Sequence, residues 1–203
     1  MKSQTLEFIK YLVGIRSAKT TDTKSELELL SVLSKQKKCI VEVGVFEGVA
    51  SREFCKSMDK NGKLYLVDPY FYSLKIEKIL KFSTSESIAR KTVKSWNSQL
   101  EFVRLTSTGA ASYLQLQGQA DLIFIDAMHD YDSVLEDFKC WTPMLAVDGI
   151  IAFHDSRICE ARPDLNEQVG PVRLCNEIAK GQHGQWQIVN AVDSITVISK
   201  VNN

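Results

Sequence analysis

A rhythm constrains this 203-residue chain more than any single motif: short apolar runs rich in β-branched residues alternate with longer amphipathic stretches. The runs fall at 39–44, 64–68, 101–105, 121–126 and 149–154. Strand-like runs spaced by helix-sized intervals predict βαβ units and a parallel sheet. The first four have nearly continuous Val, Ile, Leu or Phe at their centres, as strands covered by helices on both faces require. The intervals at 49–58, 85–98 and 132–145 read as crossover helices, with Ile88, Val93 and Trp96, then Val134, Leu135, Phe138 and Trp141, at helical spacing. Two last runs, 186–189 and 195–199, lie too close together to hold a helix and must pair antiparallel. The expected fold is α/β: a doubly wound, seven-stranded, mostly parallel sheet with a C-terminal antiparallel hairpin. A chain this long suits one domain, 1–203, with a helical N-terminal extension at 1–36 and the core at 37–203. The longest stretch with loop character is 155–172.

Composition narrows the function classes. Lys plus Arg and Asp plus Glu both total 25, so no global field draws the chain to nucleic acid or to an acidic membrane surface. Lys2, Glu7 and Lys10 interrupt the N-terminal apolar residues, which reads as an amphipathic helix rather than a signal peptide. No apolar run approaches the roughly 20 residues of a membrane span. The five cysteines are scattered and never form a C-x-x-C pair, which predicts reduced thiols in a soluble, cytoplasmic protein.

The first strand runs into a glycine loop, "CIVEVGVFEGVAS". Gly44 and Gly48 permit a tight turn and close ligand approach. A dinucleotide would need G-x-G-x-x-G to bring backbone amides to a diphosphate, and the central glycine is missing. Phe46 adds bulk, and Glu42 and Glu47 raise the electrostatic cost of a phosphate. S-adenosylmethionine carries no phosphate, and its sulfonium and ammonium groups are positive, so charge favours it. Asp68 closes the second run, where a carboxylate can accept both ribose hydroxyls; the alternative is a carboxylate capping the turn before Pro69.

A second concentration of chemistry lies at the ends of the fourth and fifth runs: Asp126 and His129, then His154 and Asp155. In a parallel sheet these ends converge beside the cofactor cleft. Each has a plainer reading alone, since Asp126, Asp130 or Asp132 can cap a helix and a histidine can be a satisfied donor. Their joint placement favours function.

These residues carry a family likeness. "VEVGVFEG", Asp68 and the terminal hairpin resemble the Rossmann-like class I S-adenosylmethionine-dependent methyltransferases over nearly the whole chain. The resemblance implies Glu42, Gly44, Phe46 and Gly48 around the methionine end of the cofactor, Asp68 on its ribose, and Ser107 and Thr108 on the adenine side. The pattern I-D-x-x-H-x-Y, then W-x-P-x-L-x-x-x-G and H-D, resembles the small metal-assisted O-methyltransferases of macrolide-sugar type. That likeness implies a metal on Asp126, His154 and Asp155, a base at His129, and Asp126 beside cofactor and metal alike. A divalent ion, magnesium or manganese, would lower the pKa of the acceptor hydroxyl and fix its attack. His154 stands where those enzymes have a carboxylate, and magnesium prefers oxygen, so manganese, iron(II) or zinc suits the set better.

The implied activity is methylation of a hydroxyl on a small molecule such as a sugar or polyketide. The acceptor walls are read at 69–80, with Tyr70, Phe71 and Tyr72, and at the 155–172 loop, with Arg157, Arg162 and Arg173 near its ends. A nicotinamide oxidoreductase and a cofactor-binding protein without chemistry are the alternatives. The N-terminal segment could either lid the active site or support a homodimer.

Overall fold

In the computed structural model, which describes residues 2–72, 77–78 and 81–201, all seven strands join one sheet. Strands β1 (Cys39–Val43), β2 (Lys63–Val67), β3 (Leu100–Val103), β4 (Ala120–Ile125) and β5 (Leu145–Phe153) run parallel. The hairpin follows: β7 (Ile195–Lys200) lies antiparallel to both β5 and β6 (Trp186–Val192). The spatial order is β3-β2-β1-β4-β5-β7-β6. Chain order therefore reverses between β1 and β4, and the loops leaving those two strands diverge to form a crevice.

Residue alternation along the strands builds two cores. Val41, Ile123, Ile151 and Phe153 face one side with Phe138, Trp141 and Leu174. Ile40, Leu64, Leu66 and Phe124 face the other with Leu30, Phe54 and Ala89. The helices over these faces are α1 (Lys2–Leu12), α2 (Lys24–Leu33), α3 (Val49–Ser57), α4 (Thr84–Thr92), α5 (Ser107–Leu114), α6 (Tyr131–Trp141) and α7 (Gly170–Ala179). Trp141 is fully buried, and its indole N–H donates to Ser107 Oγ at 2.8 Å. Among the described residues no helix is long and apolar enough to cross a membrane.

Several boundaries differ from the sequence reading. β5 starts at Leu145, because its pairing with β4 shifts register between Ala120 and Leu122. Gly149 sits inside that irregularity rather than at the strand start: a Cβ there would lie 2.6 Å from the Ala120 carbonyl oxygen. The loop expected at 155–172 ends earlier, at Val169, where α7 begins.

The N-terminal extension at 1–36 is not helical throughout. Gly14, at φ +78°, follows the end of α1, and Thr23 opens α2 with a reciprocal cap to Glu26. Residues 13–23 between them form a strap. Arg16 grips the Glu47 carboxylate through two hydrogen bonds of 2.8 and 2.9 Å, and the Lys19 amide donates to Glu47 Oε2 at 2.6 Å. At the other end Thr23 Oγ1 donates to Asp193 Oδ2 at 2.6 Å.

Candidate active site

The crevice between the β1 and β4 ends deepens into a cavity of about 390 Å³. Gly44 makes this possible, because its backbone, at φ +91°, presses against Asp126 so closely that a Cβ would lie 1.9 Å from the Asp126 carbonyl oxygen. Asp68 organises the same loop. Its Oδ2 accepts the Val45 and Phe46 amides, each at 3.1 Å, and its Oδ1 accepts the Tyr70 amide at 2.7 Å. It also lines the cavity, so the turn-capping reading describes its backbone contacts and does not remove it from the site. Phe46 is half exposed at the wall. Gly48 packs away from the cavity, with room for a Cβ only 3.1 Å from Ala89 Cα. Thr106 caps α5, and Ser107 and Thr108 open that helix at the cavity wall.

The two loop glutamates separate in role. Glu47 is claimed by Arg16 and the strap and does not reach the cavity, which corrects its reading as a charge that repels phosphate. Glu42 does line it and is 1 % exposed. Burial drives its carboxyl well above the usual carboxylate range, with repulsion from Asp22, Asp126 and Asp68 adding to the effect. A cationic ligand is the partner that would let it ionise. Among the described residues the cavity wall carries Asp22, Glu42, Asp68, Asp126, Glu136 and Asp137 against one basic side chain, Lys19. Lys19 itself pairs with Glu7 at 3.0 Å.

The four residues read at the ends of β4 and β5 do meet. His154 is buried and its Nδ1 lies 3.2 Å from Asp126 Oδ1 and 3.3 Å from Asp155 Oδ1. His129 is more open, with its side chain 46 % exposed and its Nε2 3.4 Å from Asp155 Oδ2 and 3.8 Å from Asp126 Oδ1. Asp130, not Asp126, caps α6 by accepting the Ser133 amide at 3.0 Å. Asp126 is thereby left to the histidines.

Two further acids arrive from the N-terminal region, where the sequence reading placed no site residue; Glu26 stands there in the capping box of α2. Asp22 Oδ1 and Glu26 Oε2 lie 3.3 and 3.6 Å from His154 Nε2. Asp137 is the one missed residue that left a trace: it is a charged side chain between Val134 and Phe138 on the buried face of α6.

Burial alone would lower the pKa of His154, but the close carboxylates of Asp126, Asp155 and Glu26 outweigh it and raise the imidazole to about 12. Burial likewise opposes ionisation of Asp126, yet contacts with His129 and His154 hold its carboxyl well below the ordinary range. The nearby Asp126 carboxylate raises the pKa of His129, and Asp155 adds to it.

The backbone of His129 is held by α7. The Gly170 amide donates to the His129 carbonyl at 2.9 Å, and a Cβ at Gly170 would strike the Asp130 backbone at 2.6 Å. Glu177 fastens α7 to α6: it accepts the Tyr131 hydroxyl, contacts His183 Nε2 at 2.8 Å and accepts Arg173 Nε at 2.9 Å. The Tyr131 hydrogen bond, then that from His183, lowers the Glu177 pKa from 4.5 to about 2. A depressed carboxylate pKa stabilises the fold above pH 4.5, and that contribution is lost as pH falls toward 2. Glu177→Gln is therefore expected to flatten the acid limb of thermal stability between pH 4.5 and 2. A melting series whose acid limb matches that of the wild type would refute this.

Asp126, His154 and Asp155 offer one ligand atom each within 4.8 Å of one another, as do Asp22, Glu26 and His154. Two carboxylates and one imidazole fit a divalent ion of borderline softness better than magnesium. The Arg162 guanidinium already sits on Asp155 Oδ1, so that carboxylate is partly neutralised by the protein itself.

Comparison with known proteins agrees with this layout. Residues 41–156, more than half of the chain, match a family model described as a methyltransferase domain. No curated protein matches the chain significantly. Solved structures share the fold at low identity. A methyltransferase from Geobacter sulfurreducens is 16 % identical, with TM-score 0.64, over 98 % of this chain and 88 % of its own. The O-methyltransferase TomG of Streptomyces achromogenes, involved in tomaymycin synthesis and solved with S-adenosylmethionine, is 15 % identical, with TM-score 0.65, over 89 % of this chain and 82 % of its own. An rRNA methylase from Streptococcus thermophilus is 8 % identical, with TM-score 0.58, over 91 % of this chain and all of its own (100 %). The chain belongs to the methyltransferase-domain family. It is an S-adenosylmethionine-dependent enzyme, and the nicotinamide alternative falls away.

Proposed function

We propose that the enzyme transfers the methyl group of S-adenosylmethionine to a hydroxyl oxygen of an uncharged small molecule. One observation carries the reading: next in sequence to Met128 of the cavity wall, a half-exposed imidazole, His129, is backed by two carboxylates, Asp126 and Asp155. An acceptor hydroxyl must lose its proton as its oxygen attacks the methyl carbon in line with the departing sulfur. In this reading His129 Nε2 takes that proton, and Asp126 and Asp155 stabilise the imidazolium that results. Glu42, Gly44, Phe46, Asp68, Ser107 and Thr108 are the residues we assign to the cofactor, with Gly48 holding the loop closed. A divalent ion would be held by Asp126, His154 and Asp155, with His154 giving up a proton as the ion binds, and would acidify a bound hydroxyl.

The acceptor's charge class follows from the surrounding cations. Arg162 is spent on Asp155 and Asp164, Arg173 lies on the Tyr131 ring and on Glu177, and Arg157 donates to the Asp193 carbonyl. Two of the three are paired with carboxylates, and none of the three lines the cavity. Phe46, Phe71 and Met128 instead present exposed apolar surface at the cavity wall. Of the aromatic wall read at 69–80, residues 73–76 and 79–80 lie outside those described.

The test is a mass-spectrometric screen with methyl-labelled S-adenosylmethionine against neutral and anionic hydroxylated acceptors, with and without added manganese or magnesium. Label appearing on oxygen of neutral, ring-bearing acceptors supports the reading. Label on nitrogen or on RNA would overturn it.

A further inference from the structure

Three carboxylates line the cavity within electrostatic reach of one another. Glu42 comes from β1, Asp126 from the end of β4, and Asp22 from the strap. Two of them present buried oxygens with no hydrogen-bond donor among the described residues: Glu42 Oε2 and Asp22 Oδ1. Their side chains are shielded, Glu42 being 1 % exposed and the Asp22 side chain 5 %. His154 Nε2 stands 3.3 Å from Asp22 Oδ1, but it does not meet that oxygen with hydrogen-bond geometry. Native interiors seldom leave buried acceptors unmatched, and acids in a group are costlier still. The missing partner is a compact cation with several N–H donors.

Lys19 is the basic side chain at this wall, and it is turned to Glu7. The positive charge of His154 is shared among Asp22, Glu26, Asp126 and Asp155, and His154 does not line the cavity, so a further cation on the cavity side must come with the ligand. S-adenosylmethionine brings a primary ammonium on its amino-acid end, with three donors and a positive charge.

We infer that Asp22, with Glu42, forms the subsite for the α-ammonium group of the cofactor, so the N-terminal strap is part of the cofactor site rather than an accessory to it. The strap is held for that task at both ends. Arg16 and the Lys19 amide bind Glu47 beside the glycine loop, and Thr23 binds Asp193 at the terminal hairpin. Asp22 lies between these anchors, so its carboxylate is presented at a fixed place.

The inference rests on the cofactor assignment and not on the acceptor. It is tested by calorimetry on the full chain, wild type and Asp22→Asn, with two probes: S-adenosylhomocysteine and 5′-methylthioadenosine. The second probe has the nucleoside and the thioether but lacks the amino-acid end. Asp22→Asn keeps the shape of the side chain and removes its charge. It is expected to weaken S-adenosylhomocysteine binding tenfold or more and to change methylthioadenosine binding less than twofold. Unchanged binding of both probes would remove Asp22 from the subsite. An equal loss with both would make it a general support of the cavity and would also overturn the inference. Failure of the wild type to bind S-adenosylhomocysteine would overturn the cofactor assignment and this inference with it, whereas transfer to an unexpected acceptor would touch only the proposed function.

Discussion

Replacing His129 with alanine is expected to lower kcat by about 10²- to 10⁴-fold, the usual contribution of a positioned general base. That corresponds to roughly 3 to 5 kcal/mol of transition-state stabilisation. The side chain is half exposed, and α7 holds its backbone through the carbonyl, so the fold should tolerate the change. Binding of S-adenosylhomocysteine should stay within about twofold of wild type, because His129 does not line the cavity. Steady-state kinetics with the acceptor found in the screen, beside thermal melting and calorimetry, separate these effects. Turnover within tenfold of wild type would remove His129 as the base. A parallel loss of stability would instead make it a structural member of the Asp126 and Asp155 cluster.

The second large effect concerns Gly44→Ala. An added Cβ would lie 1.9 Å from the Asp126 carbonyl oxygen, and φ +91° is a conformation that side chains resist. The clashing atom is backbone, held by the amide of Asp126 donating to the Val43 carbonyl at 2.8 Å, so it cannot swing aside as a side chain would. Either β1 and β4 separate at their ends or the loop refolds. The expected cost is about 4 kcal/mol or more, among the largest for a single substitution. For a chain of this size that is a fall in Tm of roughly 10 °C or more. Differential scanning calorimetry checks it, and a fall under about 3 °C would show that the crevice can widen at little cost. By contrast, Gly14→Ala has no neighbour within 4 Å and should cost only its φ strain, about 1 kcal/mol.

What the sequence revealed followed from periodicity. Strand runs buried on both faces announce themselves, so the order of elements in β1 to β7 and three crossover helices could be read directly. Helix α5 could not, because "STGAASYL" carries small residues with little contrast between its faces and only Ala110 and Ala111 buried. The start of β5 was hidden by Gly149, which looks like a turn residue but serves the irregular pairing with Ala120. Site residues at strand ends were legible because a parallel sheet gathers such ends. Asp22 and Glu26 were not, since they reach His154 across more than a hundred positions of sequence, one from the irregular strap and one from the first turn of α2. No local pattern encodes that contact. The opposite fates of Glu42 and Glu47 were equally hidden: both read as loop acids, and only the approach of Arg16 tells them apart.

The family match begins at residue 41, downstream of Arg16, Asp22 and Glu26. A shortened chain starting there would keep every strand of the sheet apart from the first residues of β1, yet it would take two of the four acids away from His154 and leave Glu47 without its guanidinium. Comparison or engineering framed on the matched region alone would thus handle a site with a different charge from the natural one. The N-terminal forty residues belong in any alignment meant to group these enzymes by what they bind.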